Sequence, residues 1–322
     1  DLTLMTLVEK QSQDGKWKLQ ALPNSTIGTK VQSNKLERLG GEVLFQIHDE
    51  GGGLLDGKLT NAEVEPNEWT FSGDISLTSM RDYGFPHTGE AEGLAEGFSL
   101  DVLANSTVEG SIAQSTLTSV KAALNFRVND GGGELAAGGV NGDWDMATDA
   151  FTGTGNVALT TDYQVTPTAQ SGSRLEAWSA HLVAGSGVDL SINANPLEEA
   201  QVNLEAALRK EGGDVAKATL DGSYRLGDAG GFSGNGHFEL VAAQTWHEGE
   251  RFSYDLSLGT SMDAQLEAGS ITGAQGAVVL TAKEAGAEKA TLSLTSVTYA
   301  PGSPISGQGT IAVTDDILAY QG

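Results

Sequence analysis

The chain has 322 residues, with 18 Lys and Arg against 43 Asp and Glu, a net charge of −25, 43 Gly, 7 Pro and no Cys. This composition excludes a disulfide scaffold and any Cys-ligated zinc site, and the acidic excess argues against nucleic-acid binding, which needs clustered Lys and Arg. No apolar run approaches the roughly 18 residues of a membrane-spanning helix, and aromatics at 6% are too few for the girdles of an outer-membrane barrel.

Residues 1–40 read as an N-terminal β segment, ahead of a repeated region over 41–322. Two Asn-x-Ser/Thr sequons, Asn24-Ser25-Thr26 and Asn105-Ser106-Thr107, are no more than chance supplies in a Ser/Thr-rich chain. Asp49-Glu50-Gly51-Gly52-Gly53 is a turn signal, because Gly supplies positive φ at no steric cost. Leu124, Phe126 and Val128 alternate with Asn125 and Arg127, which is the period of a strand with one dry and one wet face. Asn129-Asp130-Gly131-Gly132-Gly133 is the next turn. Asn195-Pro196-Leu197-Glu198-Glu199-Ala200 opens like a helix, with a cap, Pro at N1 and acids in the first turn. Arg209, Lys210 and Gly212-Gly213 close it. The same segment also alternates, at Val202, Leu204, Ala206 and Leu208, so a helix over 195–211 competes with a strand. Further on, Ala216, Ala218, Leu220, Gly222 and Tyr224 alternate with polar residues, as do Phe252, Tyr254, Leu256 and Leu258. Turn signals separate them at Gly227-Asp228-Ala229-Gly230-Gly231 and His247-Glu248-Gly249-Glu250. Alternating runs joined by short turns predict antiparallel hairpins.

The chain also repeats itself. Phe151-Thr152-Gly153-Thr154-Gly155 recurs as Phe232-Ser233-Gly234-Asn235-Gly236 and Ile305-Ser306-Gly307-Gln308-Gly309, with a shortened form at Phe71-Ser72-Gly73. Gly51-Gly52-Gly53 and Gly131-Gly132-Gly133 keep the same register, as do Asp82-Tyr83 and Asp162-Tyr163. Units over 41–120, 121–200, 201–275 and a partial one over 276–322 follow. Glycine inside a strand marks a bulge, a bend or a close backbone approach, and the residue opening each Gly-x-Gly, such as Phe151 or Phe232, is expected to be buried. The fold class is mainly β: a repeated antiparallel β-meander of long strands, forming an extended, curved sheet or groove with at most one or two short helices. Such a sheet can also close into a barrel or pack as a sandwich, and a β-helix is a further alternative.

Chemistry-bearing motifs are sparse. His48, His87, His181, His237 and His247 lack metal-ligand spacing. His247-Glu248-Gly249-Glu250-Arg251 has Arg where a zincin needs its second His. Asn141, Asp143 and Asp145 alternate, but Met146 stands where a calcium loop requires Gly. No Gly-x-Ser-x-Gly elbow is present. The sequence therefore points to no catalytic residue, no metal and no cofactor. The apolar phase, Leu220, Tyr224, Phe252, Tyr254 and Leu256, is the candidate ligand-lining set. Asp221, Arg225 and Asp255 on the opposite phase are expected to stay wet.

Ala218-Thr219-Leu220-Asp221-Gly222-Ser223-Tyr224 with Phe232-Ser233-Gly234-Asn235-Gly236, and Asp143-Trp144-Asp145 with Phe151-Thr152-Gly153-Thr154-Gly155, resemble in texture the periplasmic parts of AsmA/TamB-like bacterial envelope proteins. The resemblance covers residues 40–315. It implies an elongated curved sheet whose apolar inner face shields lipid tails between membranes. It also implies a periplasmic or cell-surface location, with lipid or another envelope protein as partner. An N-terminal membrane anchor belongs to that family and would make this chain a fragment; no functional residue is carried over. The rival expectation is a surface or structural interaction module, an adhesin or envelope scaffold, without a small-molecule ligand. A carbohydrate-active enzyme with acidic catalysts is the third.

Overall fold

A computed structural model describes residues 2–33, 35–65, 70–85, 98–131, 133–165, 178–193, 197–225, 231–248 and 251–314. Every regular element among them is a β-strand, and neighbouring strands pair antiparallel, each with the next along the chain or with one two or three further on. The chain divides into two compact units: residues 1–157 with 190–198, and residues 158–189 with 199–322. The predicted turns at 227–231 and 247–250 fall largely outside the described residues.

In the first unit, the long strands Lys35–Asp49 and Gly52–Glu65 form a hairpin. The next long line is broken in two, Thr70–Ser79 and then Tyr83–Phe85. The line after it is also broken, into Ser99–Val102 and Thr107–Ala113. Both of these pieces pair with the single strand Thr116–Asp130, one on each half. Thr116–Asp130 then turns into Gly133–Asp145. The scheme also runs through residues 1–40: Lys18–Ala21 and Thr26–Gln32 are the two pieces that pair with Lys35–Asp49.

The second unit repeats the plan. Trp178–Leu182 pairs with Leu197–Lys210, which turns into Gly213–Arg225 and then Gly231–Leu240. Phe252–Leu256 and Ser261–Glu267 are the two pieces on the long strand Ser270–Glu284. Ala287–Tyr299 and Gly309–Val313 follow. Several hairpins use two-residue turns with both residues at positive φ, such as Gln114-Ser115, Glu211-Gly212, Ala268-Gly269 and Ala285-Gly286. That turn twists the chain in the sense a right-handed hairpin needs.

Residues 197–210 are strand, which decides between the helix and the strand that competed over 195–211. Helix propensity is a weak prior that tertiary context overrides. Here the alternation of Val202, Leu204, Ala206 and Leu208 matches the alternation of Gly222, Leu220, Ala218 and Ala216 opposite, and the cross-strand ladder decides.

The Gly-x-Gly units have a steric cause. The Phe151 ring lies across the sheet, so that a Cβ on Gly142 would stand 2.6 Å from its Cζ and one on Gly153 2.9 Å. The Phe232 ring lies the same way over Gly222 (2.7 Å) and Gly234 (2.9 Å), and Phe126 lies over Gly138 (2.9 Å). The close approach is also to backbone: a Cβ on Gly153 would meet the carbonyl of Asn141. Glycine is thus the floor on which the aromatic rings rest. Phe151 and Phe232 are half-buried rather than buried, and Ile305 is exposed. A ring flat on a glycine floor has only one covered face.

Burial is thin throughout. No large side chain among the described residues is fully buried. Among the described residues, Val215, Ala216 and Leu240 in the second unit form a cluster of buried apolar residues, against which Leu208, Phe238 and Leu256 pack.

Candidate ligand-binding face

Period-two alternation sorts each strand into two phases, and the registers carry those phases across the strands. Leu204 stands opposite Leu220, Leu220 opposite Gly236, and Gly236 opposite Ala264. Ala206, Ala218, Phe238 and Met262 form the next row on the same face. In the second unit these rows enclose an open cleft of about 310 Å³, with Leu182, Leu204, Leu220, Phe238 and Met262 among its lining. That is the lower end of the usual size for small-molecule sites. Most of the lining residues are half-buried, and Met262 is 47% exposed. Among the described residues no second layer covers this face.

The five candidate lining residues share one phase but not one environment. Leu220 lines the cleft. Leu256 packs against the Val215–Ala216–Leu240 cluster. Tyr254 pairs with Trp246, ring centroids 6.5 Å apart. Phe252 is exposed beneath the Arg251 guanidinium, 5.6 Å from its centroid. Tyr224 is exposed opposite Phe232. Leu220 alone of the five joins the cleft. Leu182, Leu204, Phe238 and Met262 were not singled out from sequence; the signal that finds them is the cross-strand register, which depends on where each turn falls.

The opposite face is polar. A second cavity, of about 550 Å³, includes Thr219, Asp221, Asn235, His237, Asp263 and Gln265 in its lining. His237 Nδ1 lies 2.6 Å from Asp263. Asp221 and Arg225 are exposed, as expected. Asp255 departs from expectation: it is buried, 8% exposed. It is held by Lys283 at 2.5 Å and by the Thr245 hydroxyl at 2.7 Å, and these partners keep its carboxyl below the ordinary range. A buried charge survives when it is paired and hydrogen-bonded. Asp143 pairs with Lys121 at 3.6 Å, and Asp145 accepts the Ala147 N–H at 2.8 Å, so two of the alternating acids are engaged in an ion pair and a turn. Among the described residues no group of three His, Asp or Glu could hold a metal.

The breaks in the long lines are built alike. Each carries a residue at positive φ followed by a buried hydroxyl: Asn24-Ser25, Asn105-Ser106, Gly185-Ser186 and Gly259-Thr260. Ser106 Oγ accepts the Asn125 N–H at 2.9 Å and donates to the Asn125 carbonyl at 3.2 Å. Ser25 Oγ accepts the Leu44 N–H at 3.0 Å and donates to the Leu22 carbonyl at 2.8 Å, with the Leu44 carbonyl at 3.3 Å. Ser186 Oγ accepts the Glu205 N–H at 2.8 Å and donates to the Glu205 carbonyl at 3.0 Å. Thr260 Oγ1 accepts the Val279 N–H at 3.1 Å. The hydroxyl thus stands in for a ladder bond where the strand is interrupted. The two sequons are two of these four breaks, so their place in the chain is structural.

Two breaks are also capped by acids. Asp82 accepts the Ala104 N–H at 2.9 Å and Arg127 Nη2 at 2.8 Å. Asp162 accepts the Ala184 N–H at 3.0 Å and Arg209 Nη2 at 3.0 Å. The backbone N–H in each case, and then the Arg, lowers the carboxyl pKa. A carboxyl depressed in the folded state adds stability above its unfolded value, about 3.9, and loses it as pH falls through the folded value. Thermal melts should therefore show Asp82→Asn and Asp162→Asn below wild type at neutral pH. The gap should close as pH drops below the ordinary carboxylate range. A gap that persists in strong acid would show that the charge is not what matters.

Comparison with known proteins gives no match: no family model, no curated protein and no solved structure aligns with the chain.

Proposed function

We propose that this is a non-catalytic extracytoplasmic β-protein that holds lipid, or a ligand with a comparable hydrocarbon chain, against the apolar face of its sheet. The observation that carries the reading is the open cleft lined by Leu182, Leu204, Leu220, Phe238 and Met262, beside a buried apolar cluster that among the described residues of the unit has three members. A contiguous exposed apolar surface is one of the marks of a ligand-binding groove. The lining suits acyl chains. It is mainly aliphatic, with the ring of Phe238 beside it, and carries a flexible Met, which adapts to irregular ligands. The opposite face at the cleft carries Asp221, His237 and Asp263, so there the sheet would separate hydrocarbon from water. The texture shared with AsmA/TamB-like envelope proteins agrees with this reading, and so does a periplasmic or cell-surface location. The net charge of −25 disfavours anionic headgroups, which leaves neutral or zwitterionic lipid.

Titration with a fluorescent fatty-acyl probe in a neutral headgroup form tests it. The expected result is saturable binding that Leu204→Glu weakens at least tenfold, while Asp221→Ala on the wet face leaves it unchanged. Equal binding by both variants, or none by wild type, contradicts the reading.

A further inference from the structure

We propose that the wet face of the second unit carries a binding site for a neutral saccharide, in the cleft bounded by Asp221, Asn235, His237, Asp263 and Gln265. The site lies on the opposite side of the sheet from the apolar cleft, and the inference does not rest on the lipid reading.

The same cleft occurs in both units. In the first, Ser76 stands opposite Glu109 and Asp74 opposite Ser111, and these residues help to line a cavity of about 340 Å³. In the second, His237 stands opposite Asp263 and Asn235 opposite Gln265, and these help to line the cavity of about 550 Å³. The two sets fall on corresponding strands of the repeat and in the same register. Asn235 is thus the counterpart of Asp74, and Gln265 the counterpart of Ser111.

The first unit satisfies its own groups. Asn61 Nδ2 and Ser111 Oγ donate to the Asp74 carboxylate at 2.9 and 2.8 Å. Lys58 pairs with Glu42 at 3.1 Å, and Lys121 with Asp143 at 3.6 Å. In the second unit the chain supplies no such partners. His237 and Asp263 engage each other. Among the described residues, the side chains of Asp221, Asn235, Gln265 and Gln275 have neither a hydrogen-bond nor an ion-pair partner. Thr219 stands where the first unit has Lys58, and Gln275 where it has Lys121, so no Lys or Arg lines this cleft.

The unpaired groups set the chemistry of the ligand. The Asp221 carboxylate offers acceptors alone, while the Asn235, Gln265 and Gln275 amides each offer acceptor and donors. A hydroxyl donates and accepts at once, so a molecule rich in hydroxyls satisfies carboxylate and amide together. An anion would face Asp221 and Asp263 in a chain of net charge −25, and is repelled. A cation would meet the amide N–H donors with a like-signed charge. An apolar ligand would bury all of these groups without partners, which is costly.

The spacing agrees with a saccharide. Asp221, Asn235 and Gln265 stand opposite one another on three neighbouring strands, and neighbouring strands lie about 4.8 Å apart. That is close to the advance per sugar ring along an extended glycan. An oligosaccharide lying across the strands therefore meets one polar side chain per ring.

Isothermal titration calorimetry with cellohexaose, laminarihexaose and maltohexaose tests this. Wild type is expected to bind at least one of the three saturably, with an affinity that added sodium chloride leaves unchanged, because the ligand carries no charge to screen. The double variant Asn235→Asp with Gln265→Ser copies the pair that the first unit closes on itself, Asp74 with Ser111, so the fold tolerates it. It should keep the β circular-dichroism spectrum and the binding of the acyl probe, and lose about tenfold or more in sugar affinity, the effect of removing hydrogen-bond partners from the ligand. Ser76→Ala, in the cleft of the first unit, should bind sugar like wild type. Failure of wild type to bind any of the three sugars overturns the proposal. So does sugar affinity that the double variant leaves unchanged, or saturable binding of spermine in place of sugar, which would make the cleft a cation site.

Discussion

Gly138→Ala and Gly222→Ala should each destabilise the protein by about 3 kcal/mol, the upper part of the range for forcing atoms into packed space. At Gly138 the new methyl would collide with the Asn156 carbonyl and with the Phe126 ring, and at Gly222 with the Ser233 carbonyl and the Phe232 ring. In neither case is the obstacle only the far end of a flexible side chain, so the strand itself must shift. Gly131→Ala is the control. It sits in a turn with no atom within 4 Å of the added carbon, and it should change stability by less than about 0.5 kcal/mol. Chemical denaturation of the three variants separates the accounts. Equal small losses would show that the glycines serve only chain flexibility.

Ser106→Ala and Ser186→Ala should each cost about 1–3 kcal/mol, the penalty for leaving buried polar groups without partners. Each hydroxyl satisfies both an N–H and a carbonyl on the neighbouring strand, and both are nearly buried, so water is a poor substitute. The double variant should lose about the sum, since separated sites add. Ser106→Thr should keep most of the stability, because Thr260 fills the same position in the repeat. Denaturant midpoints read these differences. An alanine pair indistinguishable from wild type would mean that water replaces the hydroxyls.

The fold class was legible because alternation and turn chemistry agreed over most of the chain. Ala216 to Tyr224 reads as one strand and is one strand. The helical signal at 195–211 failed because cap and propensity act locally, while the ladder from Val202 to Leu208 is satisfied by residues beyond the turn. The Gly-x-Gly repeats were visible, but their purpose was not. Nothing in Phe151-Thr152-Gly153 says that the ring also rests on Gly142, on a neighbouring strand. The breaks were visible too, as Asn-Ser pairs 81 residues apart, and were set aside as sequons because a hydroxyl's acceptor is a long-range property. Asp255 shows the same limit: alternation gives its phase, but Lys283, 28 positions on, decides that a charge there is tolerable. At the candidate site, Leu220 was legible from phase alone. Leu256, on the same phase, belongs to the small core, because registers and not phase decide which apolar residues find neighbours.

The most direct test of the central claim is mass spectrometry of organic extracts from the protein purified without detergent, beside the same preparation of Leu220→Glu. The account expects stoichiometric neutral or zwitterionic lipid with wild type. With Leu220→Glu the lipid should be lost while the β circular-dichroism spectrum and the melting temperature stay close to wild type, because Leu220 is half-buried at an open cleft. Lipid-free wild type, together with unfolding of Leu220→Glu, would contradict it and leave the apolar face as a packing surface of a structural module.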